Sequence, residues 1–362
     1  MRLPRQLHPG AWWLWALGLA AAASRTTNPL LLIMMIAAAA LVVVYRRGDA
    51  PWALAFRMYL VLGAFIVVMR VAFRVVFGGG EGDHVLFALP QIPLPAWAAG
   101  IRLFGPVAAE QLLGGLYDGL RLATMLVCLG AANALANPKR MLKALPAALH
   151  EVGVAVIVAL SVAPQLTESV VRVRRARLLR GGAQRGMRAL RAIVIPVLED
   201  ALDRSLLLAA AMDSRGYGRT GGVPRRIRLV TGLLVITGLL GVCSGVYGLL
   251  DAGAPPYLGL PMLLTGLAVA TGGFLLGGRG VRTTVYRPDR WRTAEVLVAA
   301  AGIGTGALLY LTARYGATSL NPSLSPLRWP VLAPLPVTAV VVAALPAWAA
   351  PPPPLKPVEA AA

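Results

Sequence analysis

The stretch RRARLLRGG at residues 174–182 ends an apolar, helix-like run with clustered arginines and a glycine pair. A segment this rich in arginine is costly to place in a hydrocarbon core, so it divides an otherwise apolar chain. A second such ending, AAAMDSRGYGR at residues 209–219, follows in the same basic region. Each contains an Arg-Gly pair where a helix would stop, because glycine often follows a helix end. Capping explains one pair, whereas two in one basic segment need a further explanation.

The rest of the chain is strongly apolar. Of its 362 residues, 57% are hydrophobic and only 14% are charged, whereas soluble domains are about 25% charged. This composition, with several long apolar runs, predicts an all-α polytopic protein embedded in a lipid bilayer. The net charge is +20, and the basic residues lie between the apolar runs, as in cytoplasmic loops. That distribution argues against nucleic acid as a partner.

The apolar runs predict about eight membrane spans, since about 20 residues cross a bilayer. The predicted spans are Ala11–Ser24, Leu30–Tyr45, Phe56–Phe77, Leu116–Ala136, Arg228–Leu250, Leu258–Gly277, Ala294–Thr312 and Val331–Ala349. The first two are short, so they are expected to form a tight hairpin or one broken element. A cleaved signal peptide is the alternative for the first run; it is disfavoured because another apolar run follows at once.

A further apolar run, Val152–Thr167, is short for a span and has basic residues on both sides. Crossing the bilayer would place one basic cluster outside, so we expect this run to dip into or lie along the cytoplasmic face. With both termini inside, most lysines and arginines fall on the cytoplasmic side. The sequence therefore predicts a multi-pass protein of the cell membrane.

A long cytoplasmic module is predicted between the fourth and fifth spans. The predicted division is N-terminal spans at 1–136, the module at 137–227, C-terminal spans at 228–349 and a Pro-rich tail at 350–362. Pro138 is expected to open the first helix of the module. The second helix is predicted from about Val152 through Arg180, and the third from about Pro196 to Ser214.

Motifs for enzyme chemistry are not evident. No lysine lies in the GxxxxGK[ST] pattern of a phosphate-binding loop, so the chain is not a P-loop ATPase. No metal site or cofactor is expected from the cysteines and histidines, which lack ligand spacing: Cys128, Cys243, His8, His84 and His150.

A membrane-embedded, metal-dependent enzyme is one alternative. It would use the carboxylates Glu199, Asp200 and Asp203. Arg204 lies beside this single cluster, however, and an Asp200–Arg204 pair at i,i+4 on a helix explains it better.

The arginines before the first Arg-Gly pair spread around most of a helix circumference: Arg172, Arg174, Arg175, Arg177 and Arg180. A helix lying only on lipid headgroups would gather them on one face, whereas this spread suits a helix that also meets an acidic partner. Before the second pair, the small residues of LLLAAAM at 206–212 allow another helix to approach closely. We interpret the two helix ends as docking tips, each ending in a cation.

The region of roughly Leu116–Gly218 resembles the transmembrane (T) component of energy-coupling factor (ECF) transporters, the EcfT/CbiQ family. That family carries two Ala-Arg-Gly signatures on cytoplasmic coupling helices. The corresponding triplets here are Leu179-Arg180-Gly181 and Ser214-Arg215-Gly216, which depart from the family in their first residue. Ala211-Met212, ahead of the second triplet, also matches.

The resemblance implies a non-catalytic transport subunit. In the family, two ABC ATPase subunits, identical or different, dock on the coupling helices. A small membrane protein, the S component, binds a vitamin such as biotin or a transition-metal ion such as cobalt or nickel. A permease subunit of another ATP-driven transporter is the runner-up, although the spans offer few polar residues for a substrate path.

The resemblance also implies roles for residues of the module. Arg180 and Arg215 would each engage one ATPase subunit, and Gly181 and Gly216 would turn the chain away. Supporting positions would be Leu179, Ser214, Arg177, Pro196 and Met212. Pro196 is expected to separate the two coupling helices.

Overall fold

The computed structural model describes residues 5–48, 54–77, 83–90, 92–93, 102–143, 149–180, 186–216, 224–251, 253–278, 289–315 and 318–353. The helices are α1 Pro9–Ala23, α2 Pro29–Arg46, α3 Phe56–Phe77, α4 Ala109–Leu135, α5 Pro138–Lys143, α6 His150–Leu179, α7 Met187–Ser214, α8 Arg225–Leu250, α9 Leu260–Gly278, α10 Thr293–Arg314, α11 Pro334–Ala344 and α12 Pro346–Ala349. The helical class is confirmed. Small antiparallel strand pairs between α3 and α4 were not predicted: β1 Val85–Ala88 with β4 Pro106–Ala108, and β2 Ile92–Pro93 with β3 Arg102–Leu103.

Seven helices among the described residues are long and apolar enough to cross a membrane. Six of these coincide with predicted spans: α2, α3, α4, α8, α9 and α10. The seventh is Val152–Leu179 within α6, so the expected position of its apolar half at the cytoplasmic face stays a prediction. The predicted first span is the 15-residue α1, and the predicted last span is broken between α11 and α12.

The chain forms two compact units, one of residues 1–141 with 289–362 and the other of residues 142–288. In the first unit, α1 packs against α10 and α4, while α2 packs against α4 and α11. The first two apolar runs are therefore separate helices with different main partners, not one broken element. The predicted division into N-terminal spans, cytoplasmic module, C-terminal spans and tail concerns the membrane topology and stays a prediction.

The core of the first unit lies where α1 meets the C-terminal helices. Trp15 and Leu19 of α1 are fully buried. The indole Nε1 of Trp15 donates a hydrogen bond of 3.0 Å to the carbonyl oxygen of Ala343 in α11. Since a buried indole N–H needs an acceptor, this bond fixes α1 against α11.

Polar side chains between α1 and α2 also bind the C-terminal part of the chain. The hydroxyl of Thr26 donates to the carbonyl oxygen of Leu320 at 2.6 Å. The amide of Asn28 donates to the carbonyl oxygens of Ser319 and Val331 at 2.8 and 3.0 Å. Both side chains are fully buried, so these bonds satisfy groups that would otherwise be costly to desolvate.

Two ion pairs join distant parts of the first unit. Arg5 binds Glu295 through two bonds of 2.8 Å each, and the Glu295 side chain is only 1% exposed. Arg140 pairs with Asp289. A bidentate arginine–carboxylate pair is both strong and directional, so Arg5 holds the N-terminal segment against the first turn of α10.

In the second unit, α8 and α9 form a tightly packed pair. Gly238, Gly241 and Gly245 of α8 are buried. A Cβ atom added to Gly245 would lie 2.4 Å from the backbone nitrogen of Leu263 in α9. Small residues at such a contact let two helix backbones approach closely, as in membrane helix pairs.

The predicted start of the third module helix at Pro196 was wrong. Pro196 lies inside α7, which begins at Met187. Proline inside a helix removes one backbone donor and favours a kink or break, yet α7 continues through Pro196, and the amide of Leu190 already donates to the carbonyl oxygen of Gly186. Pro196 therefore does not separate α6 from α7. The prediction that Pro138 opens a short helix is confirmed.

Candidate functional site

Helices α6 and α7 pack against each other in antiparallel directions. The hydroxyl of Ser169 donates to Oδ2 of Asp200 at 2.7 Å. One turn away, Nη1 of Arg204 donates to Oε1 of Gln165 at 3.4 Å. Moving four residues back along α6 thus corresponds to moving four residues forward along α7, which defines the antiparallel register.

Asp200 is the centre of this contact. Besides Ser169, it accepts a bond of 3.0 Å from Nε of Arg204, which confirms the predicted i,i+4 pair. The hydroxyl of Ser169 and then the guanidinium of Arg204 lower the pKa of Asp200 below its ordinary value. Both carboxylate oxygens of Asp200 are engaged by the protein's own donors, which weakens the case for this carboxylate as a metal ligand.

Lowering the pH is expected to loosen the α6–α7 contact. Because folding depresses the pKa of Asp200, its stabilising contribution is complete above the ordinary aspartate value, about 3.9, and is lost as the pH falls through the lower folded-state value. Asp200→Asn should remove that contribution at neutral pH. Amide hydrogen exchange over residues 187–214, corrected for intrinsic rates, should then be several-fold faster at pH 7.

Asp203→Asn is the matched control, since Asp203 lies on the same helix and is exposed. It should leave the exchange rates unchanged. The difference between wild type and Asp200→Asn should shrink as the pH is lowered toward 3. Equal protection of wild type and Asp200→Asn at pH 7 would contradict the stabilising role of this carboxylate.

The first Arg-Gly pair lies at the end of α6. Arg180 follows the last helical residue, and its amide donates to the carbonyl oxygens of Ala176 and Arg177. Its side chain is exposed, and the preceding Leu179 is 89% exposed. Gly181 lies outside the described residues. A cation and a large apolar side chain thus stand together at an uncovered helix end.

The second pair ends α7 in the predicted way. Arg215 follows Ser214, and the amide of Gly216 donates to the carbonyl oxygen of Asp213 at 2.9 Å. Gly216 has a φ of +74°, the left-handed conformation that glycine adopts most easily. Arg215 is exposed, whereas Met212 is half-buried. The cap therefore explains Gly216 and leaves the guanidinium of Arg215 at the surface.

The two arginines lie at opposite ends of the α6–α7 pair. At 1.5 Å per residue, Arg180 is about 16 Å from the Ser169–Asp200 contact along α6, and Arg215 is about 22 Å from it along α7. These directions oppose each other because the helices are antiparallel. The arginines are consequently about 30–40 Å apart, too far to act on one small site.

An apolar stripe on α7 was missed in the sequence. Its members recur every four residues and are all exposed: Leu190, Val194, Leu198, Leu202 and Leu206. Residues four apart are neighbours on a helix surface, so these side chains form a ridge that winds gradually around α7. The spacing is visible in the sequence, but the interruption by Pro196 suggested a helix start and hid the stripe.

Fold and site together define a multi-pass membrane protein with a helix pair that ends in two exposed cations. The model of the CbiQ family, described as cobalt transport protein, matches residues 1–224. The chain belongs to this family and is a membrane component of a transport system. The match ends just before α8 and includes both Arg-Gly pairs. No curated protein matches the chain.

Proposed function

We propose that this chain is the transmembrane scaffold subunit of an ECF importer. Partner ATPases hydrolyse ATP, and a separate S component carries the substrate, a vitamin such as biotin or a transition-metal ion such as cobalt or nickel. The observation that carries this proposal is the pair of exposed arginines at opposite ends of α6–α7. Two separated cationic ends suit a pair of ATPase subunits, one for each end.

Each arginine is suited to holding an acidic groove while the partner moves. A guanidinium stays charged and presents several directional donors. At the second end, Gly216 ends the helix in the left-handed conformation, so the groove meets Arg215 and the exposed turn before it. The first end offers Arg180 together with the exposed Leu179.

Movement of the ATPases would then be transmitted to the contact between α6 and α7. When the two ATPase subunits close on ATP, they draw the helix ends toward each other, and α6 and α7 rotate about their contact. The side-chain hydrogen bonds described across that contact are few and lie around Asp200, and many side chains of both helices are exposed. A small polar contact permits rotation at lower cost than an interdigitated apolar core.

The apolar stripe on α7 is the surface that we assign to the S component. An apolar side chain that leaves water or lipid for a well-packed protein contact contributes favourably. The five exposed members of the stripe follow one another along α7 and offer an apolar ridge to a membrane protein. This assignment is compatible with a module at the cytoplasmic face and with both termini in the cytoplasm.

Affinity purification of the tagged chain from its native membrane tests the proposal. Wild type should recover ATPase subunits and a small integral membrane protein, identified by mass spectrometry. Leu202→Asn with Leu206→Asn should lose the small membrane protein and keep the ATPases. Val61→Asn with Val68→Asn, at exposed apolar positions of α3, is the matched control and should keep both.

The alternatives predict other recoveries. A permease subunit of another ATP-driven transporter would bring down ATPases without an S component, and a membrane-embedded enzyme would bring down neither. Recovery of the folded chain without ATPases would overturn the proposed function.

A further inference from the structure

The last turns of α3 carry two arginines and two phenylalanines at intervals of four residues. Arg70, Phe73, Arg74 and Phe77 together line one surface groove. The two rings stack, with centroids 5.4 Å apart and planes inclined by 17°. Since charges within an apolar span are costly and often functional, two arginines beside two stacked rings mark this groove as a candidate binding site.

The stems of both arginines are seated against glycines of α4. A Cβ atom added to Gly115 would lie 2.8 Å from Cγ of Arg74, and one added to Gly119 would lie 3.3 Å from Cβ of Arg70. The glycines thus leave room in which the alkyl stems lie. The arginines are thereby positioned along their length, and their charged heads remain exposed.

The groove carries more positive than negative charge. Arg74 approaches Asp118 at 3.4 Å, and both side chains are almost half exposed. Arg70 has no ion-pair partner among the described residues. One carboxylate against two guanidinium groups leaves the groove with a net charge of about +1, which favours an anion.

The position in the helix fits the border of a bilayer. Arg74 lies about 5 Å and Arg70 about 10 Å from the end of α3, at 1.5 Å per residue. Arginine side chains at such depths extend toward the headgroups, while aromatic rings favour the same boundary. The surrounding surface of α3 is apolar and exposed, with Phe65, Val68 and Met69 on it.

We propose that this groove binds the phosphate of an anionic phospholipid. Arg70 and Arg74 donate hydrogen bonds to the phosphate oxygens, since the guanidinium fork matches a phosphate group. Phe73 and Phe77 contact the first part of the acyl chains. A lipid fits better than an acidic protein because the groove opens onto an apolar helix face and needs only one negative charge.

Native mass spectrometry of the detergent-purified protein tests this site with phosphatidylglycerol and phosphatidylcholine as probes. Wild type should retain phosphatidylglycerol preferentially. Arg70→Gln with Arg74→Gln should weaken that retention by about tenfold or more, because hydrogen bonds to charged groups are lost. Arg57→Gln, at the exposed opposite end of α3, should retain the lipid as wild type does.

Two further measurements distinguish a lipid phosphate from a soluble phosphate ester and control for misfolding of the double variant. Glycerophosphoglycerol should compete poorly, because it lacks the acyl chains that Phe73 and Phe77 contact. Gly115→Ala changes no charge but displaces the Arg74 stem, so it should reduce lipid retention several-fold. Equal phosphatidylglycerol retention by wild type, the double glutamine variant and Gly115→Ala would overturn the proposal. So would loss of a co-purifying protein from the double variant without loss of lipid, which would assign the groove to a protein partner.

Discussion

Replacing Arg180 and Arg215 together with alanine is expected to abolish substrate uptake while the chain remains folded in the membrane. Both side chains are exposed, so their removal leaves no cavity and no unpaired buried group. Each hydrogen-bonded contact to a charged group contributes about 1.5–3 kcal/mol, and 1.4 kcal/mol corresponds to about tenfold in affinity. Loss of both arginines should therefore weaken ATPase docking by a hundredfold or more.

Single replacements should be milder than the double replacement. With one arginine left, one ATPase subunit stays docked, and the other is held nearby at high effective concentration. Uptake should be measured in cells for whichever of Co²⁺, Ni²⁺ or biotin the wild type accumulates. Lysine at both positions should restore uptake only in part, because it keeps the charge but loses the planar fork.

Arg226→Ala with Arg228→Ala is the matched control. These arginines are exposed at the start of α8, so their removal takes away the same charge from the same unit. Uptake by the control should stay near that of wild type. Wild-type uptake by the Arg180 and Arg215 double variant would rule out both arginines as docking residues.

Gly302→Ala is expected to prevent α1 and α10 from packing. A Cβ atom at residue 302 would lie 2.2 Å from Cα of Trp15 and 2.5 Å from its carbonyl oxygen. These are backbone atoms, so no change of rotamer relieves the clash. Overpacking usually costs about 1–3 kcal/mol, and a backbone collision in this buried core should cost about 4 kcal/mol or more.

Gly304→Ala is the same chemical change two residues further along α10. A Cβ atom there meets nothing within 4 Å, and alanine favours a helix over glycine by about 1 kcal/mol. Thermal melting followed by size-exclusion chromatography in detergent should show a much lower melting temperature for Gly302→Ala and no decrease for Gly304→Ala. Equal melting temperatures for the two variants would mean that α1 and α10 do not touch at Gly302.

The sequence was most informative about elements whose signal is local. The apolar runs of α3, α4, α8 and α10 are long enough to be read without knowledge of their neighbours. The C-cap at Gly216 was equally predictable, because its left-handed backbone depends on the residue itself. The Asp200–Arg204 pair followed from helical spacing alone.

Predictions failed or stayed incomplete where the structure depends on contacts with other parts of the chain. Pro196 suggested a helix start, yet turns on both of its sides keep α7 continuous. Two predicted spans, Ala11–Ser24 and Val331–Ala349, contain α1 and the broken α11–α12, which pack into the same unit. No spacing rule relates Arg5 to Glu295, because they are 290 positions apart in the chain.

The amino-acid sequence by itself determined a helical membrane protein with two Arg-Gly helix ends in one basic segment. The composition of a stretch and the spacing of its apolar residues are local properties, so they can be recognised without knowledge of the fold. Only the tertiary structure decided that Arg180 and Arg215 lie at opposite ends of an antiparallel pair and that the α7 stripe is exposed. The distance between two helix ends depends on how the helices pack, and the antiparallel register is marked here by contacts between residues more than 30 positions apart, Ser169 with Asp200 and Gln165 with Arg204.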